Sequence, residues 1–153
     1  MTTPIHLWVE DHRRSDDQVE AAAILEIAPE RSRRLWYRVA EEHAPSLTDD
    51  GDPFVLALVL RMAKEGRSVH VHGQVSPSLL RNLEQHLSAW SIWKPDRYAP
   101  IEITADVERE RAEPSGPIQA ACGFSGGVDS SFTAFRHARG VTTRYPQPLT
   151  AGI

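Results

Sequence analysis

Hydrophobic positions recur along the chain in two rhythms, and the switches between them mark its elements. Apolar runs at Ile5–Val9, Ala22–Ile27 and Leu35–Val39 predict three strands. The polar run Glu10–Gln18 predicts an exposed loop after the first. Ala28–Arg34, with Pro29 and dense charge, predicts a long connection that joins the second and third as a hairpin. Arg34–Glu42 also admits a helical reading. Ala44–Asp52 is rich in turn residues, and Asp52-Pro53 predicts an N-cap followed by proline at the first helical position. Val55, Leu58, Val59 and Met62 then recur at helical spacing, widened by Leu56 and Leu60, until Gly66 offers a C′ residue. In Ser68–Gly73, Val69 and Val71 alternate with His70 and His72, the pattern of a half-buried strand. Ser76-Pro77 repeats the cap-plus-proline start. Leu79, Leu80, Leu83, Leu87 and Trp90 form a second amphipathic stripe, which Pro95 stops. Ile101–Ala105 predicts another strand, followed by the charged run Asp106–Glu113.

This order, β-β-β-α-β-α-β, predicts a small N-terminal α+β domain over residues 1–112. Glu113-Pro-Ser-Gly-Pro117 has the composition of a linker. Beyond it, over 118–153, the pattern predicts one strand–loop–helix unit. An apolar strand at Ile118–Phe124 leads through Ser125-Gly126-Gly127 into a helix at Val128–Ala138. Leu149–Ile153 has the pattern of a further strand.

Composition narrows the function classes. Hydrophobic residues make up 41 % and charged residues 25 %, which is ordinary for a globular protein. A formal net charge of −4 disfavours a nonspecific grip on nucleic acid, so no DNA partner is expected. The longest apolar run, Phe54–Leu60, is too short to span a bilayer, and no membrane partner is expected. Glu10, Asp11, Asp16 and Asp17 follow the first apolar patch closely, unlike a signal peptide. Cys122 is the only cysteine, which excludes an intrachain disulfide and fits a reducing cytoplasm.

The stretch that carries chemistry is Ser125-Gly126-Gly127-Val128-Asp129-Ser130-Ser131. A strand, a glycine turn and a helix N-terminus make an anion-binding device. The glycines let backbone approach a ligand closely, while helix N–H groups without intrahelical acceptors face the negative charge. The hydroxyls of Ser125, Ser130 and Ser131 add donors. The alternative is an ordinary turn in which Asp129 caps a helix. The loop is not a Walker A motif, since no Gly-Lys-Ser/Thr follows and the only lysines are Lys64 and Lys94.

The six letters Ser125–Ser130 resemble the S-G-G-x-D-S signature of the PP-loop ATP pyrophosphatases. That superfamily includes asparagine, GMP and NAD synthetases, thiouridine-forming enzymes and the 7-cyano-7-deazaguanine synthases. The resemblance implies a Rossmann-like, doubly wound parallel sheet, of which this chain carries the first β-loop-α unit. A lone unit of this kind cannot bury both strand faces. The chain is therefore expected to be an N-terminal fragment of a longer enzyme, inactive alone, or a stub completed by a partner chain. The resemblance also implies ATP and Mg²⁺ as cofactors, with Ser125, Gly126, Gly127, Val128, Asp129, Ser130 and Ser131 lining the pyrophosphate. Asp129 would orient the loop or reach Mg²⁺ through water. The implied reaction adenylates a carbonyl or carboxylate oxygen of a small molecule or modified nucleobase, for nitrogen or sulfur transfer. A non-catalytic nucleotide- or phosphate-binding module within a complex is the alternative. The preceding domain argues against a minimal deazaguanine synthase, and no N-terminal cysteine marks a glutamine amidotransferase half. A divergent relative of deazaguanine synthase, or of the sulfur-transferring members, is the subfamily expectation. The family's zinc-binding or catalytic cysteine, if present, falls beyond Ile153.

Other constellations carry less. His70 and His72 share one face of a strand, where a metal or plain solvent would meet them; no residue is assigned to a metal. Cys122 reads as a buried small residue rather than a nucleophile. Trp90 and Trp93, beside Lys94, Arg97 and Tyr98, read as core rather than a base-stacking surface. Arg31, Arg33 and Arg34 read as a solvated loop rather than an anion site. Arg136 and Arg139 lie far along the helix from the loop.

Overall fold

The computed structural model describes residues 3–112, 120–141 and 148–152. The chain is mixed α/β and divides into two compact units, Met1–Arg111 and Ala112–Ile153.

The first unit has a five-stranded mixed sheet of order β3-β2-β1-β4-β5. Its strands are β1 (Ile5–Ser15), β2 (Gln18–Ala28), β3 (Arg31–Ala40), β4 (Val69–Val75) and β5 (Ile103–Glu108). β1, β2 and β3 form an antiparallel meander, and β4 pairs in parallel with both β1 and β5. A 3₁₀ turn at Glu41–Ser46 follows β3. Helices α1 (Asp52–Ala63) and α2 (Pro77–Trp93) flank β4 in sequence.

Alternation along the strands sends every second side chain to one face. Ile5, Leu7, Ala21, Ala23, Leu25, Val69 and Val71 bury there in one cluster with Phe54, Val55, Val59 and Met62 of α1 and Leu80, Leu83 and Leu87 of α2. The centres of both amphipathic stripes thus bury where their spacing predicts, but Leu56, expected to widen the first, is 58 % exposed and lies off the buried face. The other face carries His6, Trp8, Glu20, Trp36, His70 and His72, with Trp8 and Trp36 still 42 % and 47 % exposed.

Several expectations are corrected. The polar run after Val9 is strand, not loop: β1 runs to Ser15 and turns through Asp16-Asp17, where Asp16 adopts φ 49°. A short polar side chain tolerates that left-handed conformation. Likewise, Ala28–Arg34 is not a long loop, because Ala28 pairs with Arg31 and only Pro29-Glu30 turns. Arg34 belongs to β3 rather than to a helix or a solvated loop. Its guanidinium donates to Glu10 at 2.9 Å and to Glu20 at 2.7 Å, and Arg38 donates to the same Glu20 at 2.7 Å. These cross-strand ion pairs replace apolar alternation as the register signal, so this edge strand is polar yet pairs with β2 along its length.

The cap of α1 is Gly51 rather than Asp52. Asp52 instead accepts from the backbone N–H of Ser76 at 2.8 Å and from its hydroxyl, tying the starts of the two helices together. Ser76 caps α2 as expected, accepting from Leu79 N–H at 3.3 Å. Gly66 turns at φ +63° after α1. The last strand starts later than predicted and takes in Asp106, Val107 and Glu108 of the charged run. Trp90 is half-buried against Tyr98, with ring centroids 5.4 Å apart, but Trp93 is 68 % exposed and is not core.

The second unit contains β6 (Ala120–Cys122), α3 (Val128–Arg139) and β7 (Leu149–Gly152), with β6 and β7 parallel. Gly140, at φ +62°, closes α3 in the left-handed conformation. The linker expected at 113–117 lies outside the described residues, as do Ile118 at the start of the predicted strand and Ile153 at the end of the last. Val128, Phe132 and Phe135 recur along α3 and are 85 %, 56 % and 53 % exposed. Their spacing is that of a core-facing stripe.

Candidate functional site

The glycine-serine loop joins β6 to α3. Gly126 takes φ +75°, a conformation that side chains with a Cβ rarely adopt, and Gly127 is the extended residue from which the helix departs. The first helical bond runs from Ser131 N–H to the Gly127 carbonyl at 3.0 Å. The amides of the preceding turn have no intrahelical acceptor, and the positive end of the helix dipole reinforces them.

Three predicted residues are drawn together by hydrogen bonds. Ser130 Oγ donates to the Gly127 carbonyl at 3.1 Å, and Ser125 Oγ lies 3.3 Å from Ser130 Oγ. Gly127 N–H donates to Ser125 Oγ at 3.4 Å. Since the Ser130 proton is committed to Gly127, the Ser125 hydroxyl is the donor in the serine pair. The two hydroxyls thus brace the turn across its mouth. Asp129 sits exposed in the first turn of α3, and Ser131 is exposed beside it. Gly123 through Asp129 are all solvent-accessible, so a polyanion can reach the amides without rearranging a core.

Arg136 does not join the loop. It lies about 12 Å further along α3 at 1.5 Å per residue, with its guanidinium 5.5 Å from the Phe132 ring centre. Arg139 is further still, in the last turn. Cys122 is half-buried at the end of β6.

A second constellation lies on the sheet of the first unit. The parallel register places His6 opposite His70 and Trp8 opposite His72. His70 Nε2 lies 2.8 Å from one Asp106 carboxylate oxygen, and His72 Nδ1 lies 3.8 Å from the other. His72 Nε2 meets His6 Nδ1 at 2.9 Å, and the His72 ring stacks on Trp8 at 3.5 Å between centroids. His70 Nδ1 meets Thr104 Oγ1 at 3.0 Å. Burial, then the neighbouring His70 and His6, lower the His72 pKa against the opposing pull of Asp106, which favours neutral imidazole. The hydrogen bond with His70 holds the Asp106 carboxyl below its ordinary range. Sequence reasoning singled out His70 and His72 but missed His6 and Asp106. The alternation in β4 was a local signal, whereas their neighbours come from strands far away in sequence.

No protein-family model, curated protein or solved structure matches the chain.

Proposed function

We propose that the Ser125–Ser131 loop binds the β- and γ-phosphates of ATP, and that the chain carries the pyrophosphate site of a PP-loop adenylating enzyme. The observation that carries this reading is the junction itself. The S-G-G-V-D-S segment spans the turn from β6 to the N-terminus of α3, with Gly126 at positive φ and the hydroxyls of Ser125 and Ser130 across the mouth. The parallel pairing of β6 and β7 suits the first unit of a Rossmann-like doubly wound sheet.

In this reading, backbone amides at the start of α3 receive the phosphate oxygens. They are already oriented by the helix and need no reorganisation as charge grows on the departing pyrophosphate. The Ser125 and Ser130 hydroxyls turn outward to donate to the same oxygens. A substrate carbonyl or carboxylate oxygen attacks the α-phosphorus, the bond from that phosphorus to the α,β-bridging oxygen breaks, and pyrophosphate leaves. A nitrogen or sulfur nucleophile then displaces AMP from the adenylated substrate. Asp129 is the sole acidic side chain among the described residues of the second unit, and its exposure beside the loop fits Mg²⁺. Such an ion typically takes one or two carboxylates together with substrate phosphates. Bound there, it would neutralise charge on the phosphates. No general base is assigned, since Asp129 has no paired acid or histidine in the loop.

The test is pyrophosphate and AMP release from Mg·ATP by the protein in the form its host makes. Ser125→Ala combined with Asp129→Asn should abolish release and leave the circular-dichroism spectrum unchanged. Unaltered release in that double variant overturns the assignment. ATP binding without AMP formation would instead identify a nucleotide-binding module.

A further inference from the structure

We propose that His70, His72 and Asp106 form a divalent transition-metal site, best suited to Zn²⁺, on the sheet face opposite the two helices. It is separate from the phosphate loop and does not depend on that reading.

Donor chemistry comes first. Two imidazoles and a carboxylate favour borderline metals such as zinc over Mg²⁺ or Ca²⁺, which prefer all-oxygen sets. Three protein ligands with a fourth position open to solvent is the pattern of zinc sites that hold water.

Geometry agrees. One ligand atom from each of the three residues falls within a sphere of mutual separations no larger than 4.8 Å. Bonds of about 2.0–2.1 Å to a tetrahedral ion place ligand atoms about 3.3–3.4 Å apart. The histidine–carboxylate separations, 2.8 Å from His70 to one Asp106 oxygen and 3.8 Å from His72 to the other, lie on either side of that spacing, and the widest separation in the set, 4.8 Å, exceeds it by about 1.4 Å. Side-chain rotation of about 1.4 Å closes the set, with the backbone at His70 held opposite Thr104 by the parallel pairing of β4 and β5.

The outer partners are those a metal site requires. A ligating histidine commits its second nitrogen to a hydrogen bond, which sets the tautomer and the ring angle. His70 commits Nδ1 to Thr104 Oγ1, itself 3.4 Å from the Val69 carbonyl, and this leaves Nε2 toward Asp106. His72 commits Nε2 to His6 Nδ1 and is held flat against Trp8, which leaves Nδ1 toward the same carboxylate. One ring nitrogen of each histidine thus meets an outer partner while the other faces the Asp106 carboxylate. A simple ion pair between His70 and Asp106 does not account for the second histidine that faces the same carboxylate.

The experiment uses untagged full chain stripped with chelator. Calorimetric titration with Zn²⁺ should give one equivalent, and Co²⁺ should develop the visible absorption of a four-coordinate site. His72→Ala and Asp106→Asn should each weaken Zn²⁺ binding by more than the roughly 10- to 100-fold that loss of an outer partner costs. Thr104→Val should fall within that lesser range, and His86→Ala, on α2, should bind as the parent does. Asp106 is half exposed near the end of its strand, so its variant keeps the test valid if His72→Ala misfolds. Millimolar or fractional binding by the parent overturns the proposal. So does binding that survives unchanged in Asp106→Asn.

Discussion

Gly126→Ala separates the conformational role of the loop from its bulk. A Cβ at this position would meet nothing within 4 Å, so the substitution creates no clash. Its cost is the backbone angle alone: φ +75° penalises an L-residue by about 1–2 kcal/mol. Gly123 to Asp129 are exposed, so in the absence of ligand the alanine variant can relax to negative φ at little cost to the fold. Under the proposed function the penalty falls on binding, which must restore the turn, and converts to a loss of about 5- to 30-fold in Mg·ATP affinity. Gly127 is the internal control. Its φ is −77°, which any residue adopts, and its Cβ would sit 3.4 Å from Ser125 Oγ, an ordinary contact. Gly127→Ala should therefore bind better than Gly126→Ala. Gly126→Asn should recover part of the loss, because asparagine visits the left-handed region. Calorimetric titration of the three variants, with melting curves alongside, measures this directly. Undiminished affinity in Gly126→Ala refutes the reasoning, as would Gly127→Ala proving the weaker binder. The latter would point to crowding at the phosphate rather than to the turn.

Other consequences concern the first unit. Ser76→Ala removes the cap of α2 and one donor to Asp52. Chemical denaturation should show about 2–4 kcal/mol less stability, with Ser76→Thr restoring most of it. Leu7→Ala opens a cavity in a side chain that is fully buried between β1 and the helices, and should cost about 2–5 kcal/mol with cooperative unfolding retained. Arg34 and Arg38 hold the Glu20 carboxyl below its ordinary range, chiefly through hydrogen bonds from Arg34. Folded protein thus binds fewer protons there than unfolded protein. The contribution is complete at neutral pH and fades as pH falls through the ordinary carboxylate range toward the lowered value. Glu20→Gln should flatten the acid side of a plot of melting temperature against pH, and an unchanged acid limb would contradict the pairing.

The element order of the first unit was legible in the chain because its signals are local. Val55, Val59 and Met62 on α1, and Leu80, Leu83 and Leu87 on α2, show helical period within a few turns, and Ser76-Pro77 states where α2 begins. The strand–turn–helix junction at Ser125–Ser131 was legible for the same reason: its parts are contiguous, and the glycine at positive φ lies inside the motif. What tertiary structure decided lies where partners are remote. Glu10–Ser15 and Arg31–Arg34 look like loop until antiparallel pairing sets Arg34 between Glu10 and Glu20, and the ion pairs then stand in for apolar alternation. Asp52 has the letter of a cap, yet its carboxylate turns to Ser76 because α2 starts beside it. Trp93 follows the apolar stripe in sequence but rotates off the buried face at the end of the helix. The histidine face is the clearest case. His6, His72 and Asp106 are scattered along the chain, and only the parallel register of β1, β4 and β5 places their side chains on one surface. No periodicity within a single strand encodes a contact whose two halves are separated by a helix.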